Sequence, residues 1–498
     1  MKKIILTAVI ALSMAFTSCD DYLDINNDPQ SPNSGNLTPS LIFPGAEMAF
    51  CNAYGDYFRI VGGYFAQHSA QQFGTSNYLD YSKFMMSATR SDRAYQQLTM
   101  RCLGNMTTVR AMAEASGEWG TALAVAVFRA AAYQTLTDCY GEIPYSEALD
   151  INNVNPKYDN GADIYAGIIA ELDNALSKVN GNETVCTNFL LGGERASEWI
   201  KLANSLKLRI LMRESDAVDV KAKLDALMQD DNFITEDVKW DGIWSDITGQ
   251  ANPYYTEEFA PGRQQNVVMN LALAATFKAA NDPRMEAWYN PNISKGEYTG
   301  GVSGVNFSPA PSSEYNANYF NRPNIVYNSP VYFMTLAEVE FFKAEYEARY
   351  GSAAAAKEHY EAAIAASFAT AGVNAATTDV LTAFPYDQTN YKRCIGIQKW
   401  VALAGTNSYE AYCEMRRLGY PAFGDAAGIQ IYNINASPIT FTPSLLQPGE
   451  LYTPVLVNTN LGNNKLLQRW PYPESSANRN ANAPKYPGDD KPIFWAGK

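Results

Sequence analysis

Aromatic rings set among amides and carboxylates in glycine- and proline-rich stretches are the residues of this chain with the clearest chemical use. Trp240, Trp244, Tyr254 and Tyr255 fall in one such stretch, with Asp241 and Asn252 beside them. Tyr78 and Tyr81 fall in another, Thr75 to Lys83, with Asn77 and Asp80. Tyr315 and Tyr319 stand in a third, after Gly300-Gly301, Gly304, Pro309 and Pro311. An indole or phenol stacks on the apolar C–H face of a pyranose ring, while amides and carboxylates take the hydroxyls. The chemistry this points to is non-covalent sugar recognition. For any single ring the alternative is a local mini-core under its loop.

Catalytic chemistry has few parts to work with. His68 and His359 are the two histidines and stand in unrelated contexts. There is no GxSxG elbow, P-loop, dinucleotide fingerprint, HExxH or Cys/His zinc spacing, and no Dx[DN]x[DN]G calcium loop. Carboxylate pairs for glycoside hydrolysis form in space and leave no mark in sequence. The adjacent pairs Glu257-Glu258 and Asp489-Asp490 are expected to be solvated. The expectation is a protein that is not an enzyme and carries no metal or cofactor.

Cys19 is the one residue placed for covalent modification. Lys2-Lys3, the apolar run Ile4 to Phe16 and the small pair Thr17-Ser18 make a secretory signal, and the run is too short to span a bilayer of about 30 Å. Small residues before a cysteine are similar to a bacterial lipobox, in which the cysteine is acylated. The alternative is an ordinary cleaved signal with a chance cysteine. The expected division is a signal peptide over 1–18, an acylated Cys19 with a polar tether over 19–36, and a single domain over 37–498. Membrane attachment is then through the lipid alone. The remaining cysteines, Cys51, Cys102, Cys139, Cys186, Cys394 and Cys413, are scattered and expected to be buried free thiols. A formal charge of −14 without a basic stripe argues against nucleic acid as a partner.

The elements that must position these residues are mainly helical. Apolar residues every three to four positions predict helices over Arg90 to Ser116, Asp163 to Val179 and Glu198 to Glu214. Trp119 to Tyr140 has few charges and predicts a deeply buried helix, stopped at Gly141-Glu142-Ile143-Pro144. In Glu198 to Glu214, Trp199, Leu202, Leu206 and Ile210 face inward, with Lys201, Lys207, Arg209 and Arg213 interleaved. Thr335-Leu336-Ala337-Glu338 has the form of a capping box and opens a hairpin, Leu336 to Tyr350 and Ala353 to Phe368. Ala356, Tyr360 and Ala363 match the second helix of a tetratricopeptide repeat. The fold class is therefore mainly α: tetratricopeptide-like helix pairs as a scaffold over about 37–231 and 330–420. A loop-rich aromatic face is expected over about 232–329 and a C-terminal segment over 421–498.

Several segments, in order, resemble the SusD/RagB family of nutrient-binding outer-membrane lipoproteins of Bacteroidetes. Cys19-Asp20-Asp21-Tyr22-Leu23-Asp24 is similar to its acidic export tether, and Tyr140-Gly141-Glu142-Ile143-Pro144-Tyr145-Ser146-Glu147-Ala148 to its turn after a buried helix. Trp199 to Arg209 (WIKLANSLKLR) closely resembles one of its helices. Asn281-Asp282-Pro283-Arg284, Leu336-Ala337-Glu338-Val339, Gln398-Lys399-Trp400, Arg416-Arg417-Leu418-Gly419-Tyr420-Pro421 and Arg469-Trp470-Pro471-Tyr472-Pro473 follow in family order. The wording is most similar to the subfamily labelled SusD-like 2. The resemblance implies four tetratricopeptide-like helix pairs, loop excursions forming a ligand face, and a location at the outer membrane facing the exterior. It also implies a partner, a SusC-like TonB-dependent transporter to which a captured glycan is passed. A protein-interaction scaffold, or a peptide-binding lipoprotein without a sugar ligand, is the alternative. No ligand residue is carried over by motif.

Overall fold

Gly117 and Gly141 fence the central element. Both have positive φ, 74° and 83°, a backbone state that glycine enters without penalty. Between them Trp119–Tyr140 forms one helix, buried at every residue after the first. The computed structural model describes residues 37–498 apart from 73, 194, 306–319, 434, 437–439 and 498. Cys19, Tyr315 and Tyr319 lie outside the described residues.

Four helix pairs follow one another through the scaffold. They are Trp119–Tyr140 with Gly161–Leu176, Ala196–Glu214 with Lys221–Asp230, Leu336–Tyr350 with Ala353–Thr370, and Tyr391–Leu403 with Ser408–Leu418. Within the third pair Ala356, Tyr360 and Ala363 are all fully buried, so small residues let the two helices approach closely. The helix expected over Arg90 to Ser116 is present but not uniform. Ala88–Gln96 and Gly104–Ser116 are joined through a π-helical turn, Gln97–Leu103. All six cysteines of the described residues are free and buried.

Two expectations are corrected. Thr335 Oγ1 accepts from the Glu338 amide at 3.2 Å, but Glu338 does not complete a capping box with its carboxylate. That group turns inward onto Arg209, with Nε···Oε1 at 2.6 Å and Nη2···Oε2 at 2.9 Å. An interior guanidinium gains more from a carboxylate than a helix-end amide does. Arg209 and Arg213, which the periodicity reads as interleaved charges, are fully buried.

Arg213 ties the pairs together. It donates to Asp138 at 2.6 Å on the first pair and, on the fourth, to Glu414 at 3.1 Å and to Glu410. Arg417 forks onto Glu345 of the third pair with two contacts of 2.6 Å, and Lys399 reaches Glu414 at 3.0 Å. Burial alone pushes the Glu410 and Glu414 carboxyls up. Arg213 and Arg209 nevertheless hold Glu410 below its ordinary value, and Arg417, Lys399 and Arg213 hold Glu414 well below it.

The strands are short and occur as pairs: Ser69–Gln71 with Val267–Met269, Val238–Trp240 with Val331–Met334, Tyr432–Asn433 with Thr440–Phe441, all antiparallel, and Ala422–Ala427 parallel to Glu450–Thr453. The stretch expected to be loop-rich also holds the helix Leu271–Ala279. Most of it is buried, so its sequence is apolar up to Lys278 save for Thr276 and carries little helical period.

Candidate ligand-binding face

One strand pair gathers the loops. The register Ser69↔Met269, Ala70↔Val268, Gln71↔Val267 sets the loop after Gln71 beside the loop before Val267, where Gln72 N donates to Asn266 O at 2.8 Å. Gly301 N donates to Met269 O at 2.7 Å, which adds the segment 299–305. The chain near 455–458 closes the group: Val455 N to Ser303 O at 3.0 Å, Leu456 N to Gly304 O at 3.2 Å and Asn458 N to Lys83 O at 3.2 Å. Gly304 permits this approach, since a Cβ there would lie 2.6 Å from Leu456 O.

In this cluster Tyr78 and Tyr81 stack at 5.7 Å with 11° between their planes, and the Arg90 guanidinium lies over the Tyr81 ring at 5.1 Å. Both rings are buried, 6% and 3% exposed, so they form the floor of the loop face. Asn77 and Asp80 are exposed at its rim. Tyr255 is half-buried on the neighbouring loop.

The other candidates part company. Trp240 is corrected from a stacking residue to a core residue. It has no exposed surface, lies among Phe50, Phe128 and Phe333 with centroids at 6.3, 6.2 and 5.9 Å, and donates its indole N–H to Glu47 at 2.9 Å. Tyr254 is likewise internal, beneath Arg59. Asn252 is internal too, donating to Ser329 O at 2.8 Å and accepting from Tyr255 N at 3.0 Å. Trp244 is half-buried, with its indole N–H on Trp240 O at 3.3 Å, and Asp241 is exposed and paired with Lys239 at 3.1 Å. Among the described residues no hydrogen bond, ion pair or ring contact joins Trp244 or Asp241 to Tyr78 and Tyr81.

Glu258 overturns the solvated reading of its doublet. It is fully buried, accepts from Asn266 N at 2.9 Å and bonds the Tyr78 hydroxyl, and burial pushes its carboxyl up. Asp56 lies nearby, pushed to about 7 by burial and by the charge of Glu257. His68 is buried with its ring held at about 3 by burial, hence neutral, and its Nδ1 lies 2.9 Å from Ser408 Oγ. Among the described residues no group of three or more His, Cys, Asp or Glu side chains is placed to hold a metal ion.

A cavity of about 600 Å³ opens beside the loop cluster. Phe423, Met415, Leu461 and Leu466 give it an apolar wall, and Asn464, Gln468, Lys465 and Asp490 line it with polar groups. Phe423 connects the two features, its ring 6.3 Å from Phe84 at the end of the tyrosine loop. The sequence offers no local signal for this cavity. Its walls come from three segments, 415–423, 461–468 and 490–497, brought together by tertiary contacts.

Glu47, beneath Trp240, supplies a pH test of the core. Burial pushes its carboxyl to about 7, against the opposing bonds from Phe189 N and Trp240 Nε1. Because its folded-state value is raised, its contribution to stability is full below the unfolded value near 4.5 and is lost as pH rises through about 7. Wild type should therefore lose ~1–3 kcal/mol relative to Glu47→Gln between pH 5 and pH 8, measured by denaturant melts at both. Parallel pH profiles for the two proteins would contradict it.

The fold and face together define a helical, tetratricopeptide-like scaffold carrying a loop-built pocket. The chain belongs to the SusD-like_2 family, described as "Starch-binding associating with outer membrane", whose model matches residues 42–439. A SusD homologue from Bacteroides uniformis ATCC 8492 is similar at 23% identity and a TM-score of 0.69, over 91% of this chain and 99% of that one. A SusD homologue from Bacteroides fragilis NCTC 9343 matches at 19% and 0.68 over 92% and 99%. A protein titled as chitin-binding matches at 20% and 0.68 over 91% and 100%. These identities establish a shared fold. None of the curated proteins matches the chain. Among the described residues no helix is long and apolar enough to cross a membrane.

Proposed function

We propose that this chain is a non-enzymatic cell-surface protein that captures a nutrient glycan and passes it to a SusC-like TonB-dependent outer-membrane transporter. The observation that carries the reading is the 600 Å³ cavity whose aromatic wall, Phe423, packs on Phe84 at the end of the Tyr78–Tyr81 loop, with polar side chains around it. That volume lies in the range that holds small ligands, and the mixed lining suits a molecule with apolar faces and many hydroxyls. Asn77, Asp80 and Tyr255 extend the surface on which a longer chain would lie. Membership of a starch-binding family and likeness to a chitin-binding protein support a glycan over a peptide.

Calorimetry against α-glucan and chitin oligosaccharides, with a peptide pool as control, tests the ligand class. Glycan heat that falls about three- to ten-fold in affinity in Phe423→Ala is expected, the loss of one aromatic contact. Peptide binding with no glycan heat would overturn the sugar assignment. Anchoring is tested separately: Cys19→Ala should move the protein from the membrane fraction to the soluble fraction, and unchanged membrane recovery would remove the lipid from the scheme.

A further inference from the structure

Among the described residues buried arginines meet carboxylates, with two exceptions, Arg416 and Arg59. Arg209 pairs with Glu338, Arg213 with Asp138, Arg284 with Asp282 and Arg417 with Glu345, each at 2.6 Å. Arg416 has no such bridge but donates to the carbonyls of Gln468 and Asp138 at 2.8 and 2.9 Å. Arg59 is 7% exposed and has a single protein acceptor, Gly405 O, 2.9 Å from Nη2. Its Nε and Nη1 have no acceptor among the described residues. The Tyr254 ring lies under the guanidinium at 4.8 Å, which offsets only part of the penalty for burying a charge.

Arg59 lines a cavity of about 30 Å³. Ser69, Tyr254, Tyr289, Asn324 and Ser408 line it with Arg59, and no carboxylate does. The hydroxyls of Tyr254 and Tyr289 make no hydrogen bond to any described residue, although both side chains are buried. Ser408 Oγ is turned to a neutral His68, so the guanidinium is the only full charge at the wall. A guanidinium without a carboxylate partner, with Tyr254, Tyr289 and Ser69 on the same wall, around a space the size of one water molecule or halide ion, suits one negative charge.

We propose that this cavity binds a single small anionic group, with Arg59 supplying the charge and Tyr254 and Tyr289 the neutral donors. The group is either a halide or the carboxylate of an acidic ligand whose body lies outside near Asn324. The inference stands apart from the glycan reading and does not use the 600 Å³ cavity.

The experiment is diffraction from crystals of the intact soluble chain soaked in sodium bromide, recorded at the bromine edge. A bromide peak in contact with Arg59 is expected, and it should vanish in Arg59→Met. Tyr289→Phe, which keeps the ring and removes only a donor, should retain the fold and bind bromide more weakly. In solution, bromide should raise the melting temperature of wild type over sodium isethionate at equal ionic strength, with that difference reduced about ten-fold in apparent affinity by Tyr289→Phe. Adding glucuronate separates the sources: displacement of bromide identifies a carboxylate ligand, and retention identifies an inorganic anion. No peak in the wild-type cavity overturns the proposal whatever the melting curves show, and neutral-glycan binding would stand untouched by that result.

Discussion

Arg213→Met lowers the stability of the folded chain by about 3–5 kcal/mol, the amount expected when one member of a buried ionic cluster is removed. The substitution takes away a guanidinium with no exposed surface and leaves Asp138, Glu410 and Glu414 facing one another with fewer cations between them. Against a total of about 5–15 kcal/mol for a typical folded domain, a loss of this size is large. Lysine does not rescue it well, because one ammonium cannot fork to three carboxylates on two helices. Adding Glu410→Gln to Arg213→Met should restore part of the loss by removing one stranded charge. Denaturant melts of the two variants decide the matter. A single-variant loss below about 1 kcal/mol would mean that the cluster is not the bond between pairs described above.

The second large effect is steric. Gly62→Ala would place a Cβ 2.4 Å from both Cα and N of Tyr409. Those are backbone atoms of the helix Ser408–Leu418, so no side-chain rotation relieves the clash, and the helix carrying Glu410 and Glu414 must shift. We expect about 3 kcal/mol or more. Gly45→Ala is the matched control, since its Cβ meets nothing within 4 Å. In a helix that change should be neutral or stabilising by up to ~1 kcal/mol. Thermal melts showing the two variants equal would contradict the close crossing at Gly62.

The scaffold was legible because its signals are local. Glycine stops, few charges in Trp119–Tyr140 and the Ala/Tyr/Ala spacing in Ala353–Thr370 each depend on residues within a few turns. The charges were not legible. Arg209 and Arg213 sit at positions that an amphipathic pattern assigns to solvent, and their partners lie more than seventy residues away in every case. The motifs that resemble the family turn out to meet in space: Arg469 with Glu142 at 3.1 Å, Arg209 with Glu338, and Arg284 with Gln398 at 3.2 Å. They carry the buried polar framework.

The candidate face was only half legible, for a related reason. Trp240 lies on a three-residue strand, and whether its ring points to solvent depends on pairing with Val331–Met334, ninety residues on. Tyr78 and Tyr81 share a loop with Asn77 and Asp80, as their spacing requires, but nothing near them in sequence announces the Glu258 bond or the Arg90 cover that takes their surface. Phe423 lies in the C-terminal part of the chain, where composition suggests only irregular structure. A face assembled from distant loops leaves its composition in the sequence but not its geometry.

The Arg213 junction also bears on how the molecule comes apart. Arrays of helix pairs held by nearest-neighbour contacts alone can fray one unit at a time, from the ends inward. Here the first, second and fourth pairs share one cation, and the third is fastened to the same carboxylates through Arg209 and Arg417. Detaching any one pair strands a charge in the others. Partial opening is thus penalised almost as heavily as complete opening, and amide protons in all four pairs should exchange with solvent through a common global event. The loops can then adjust to a ligand while the body beneath them behaves as a single rigid block.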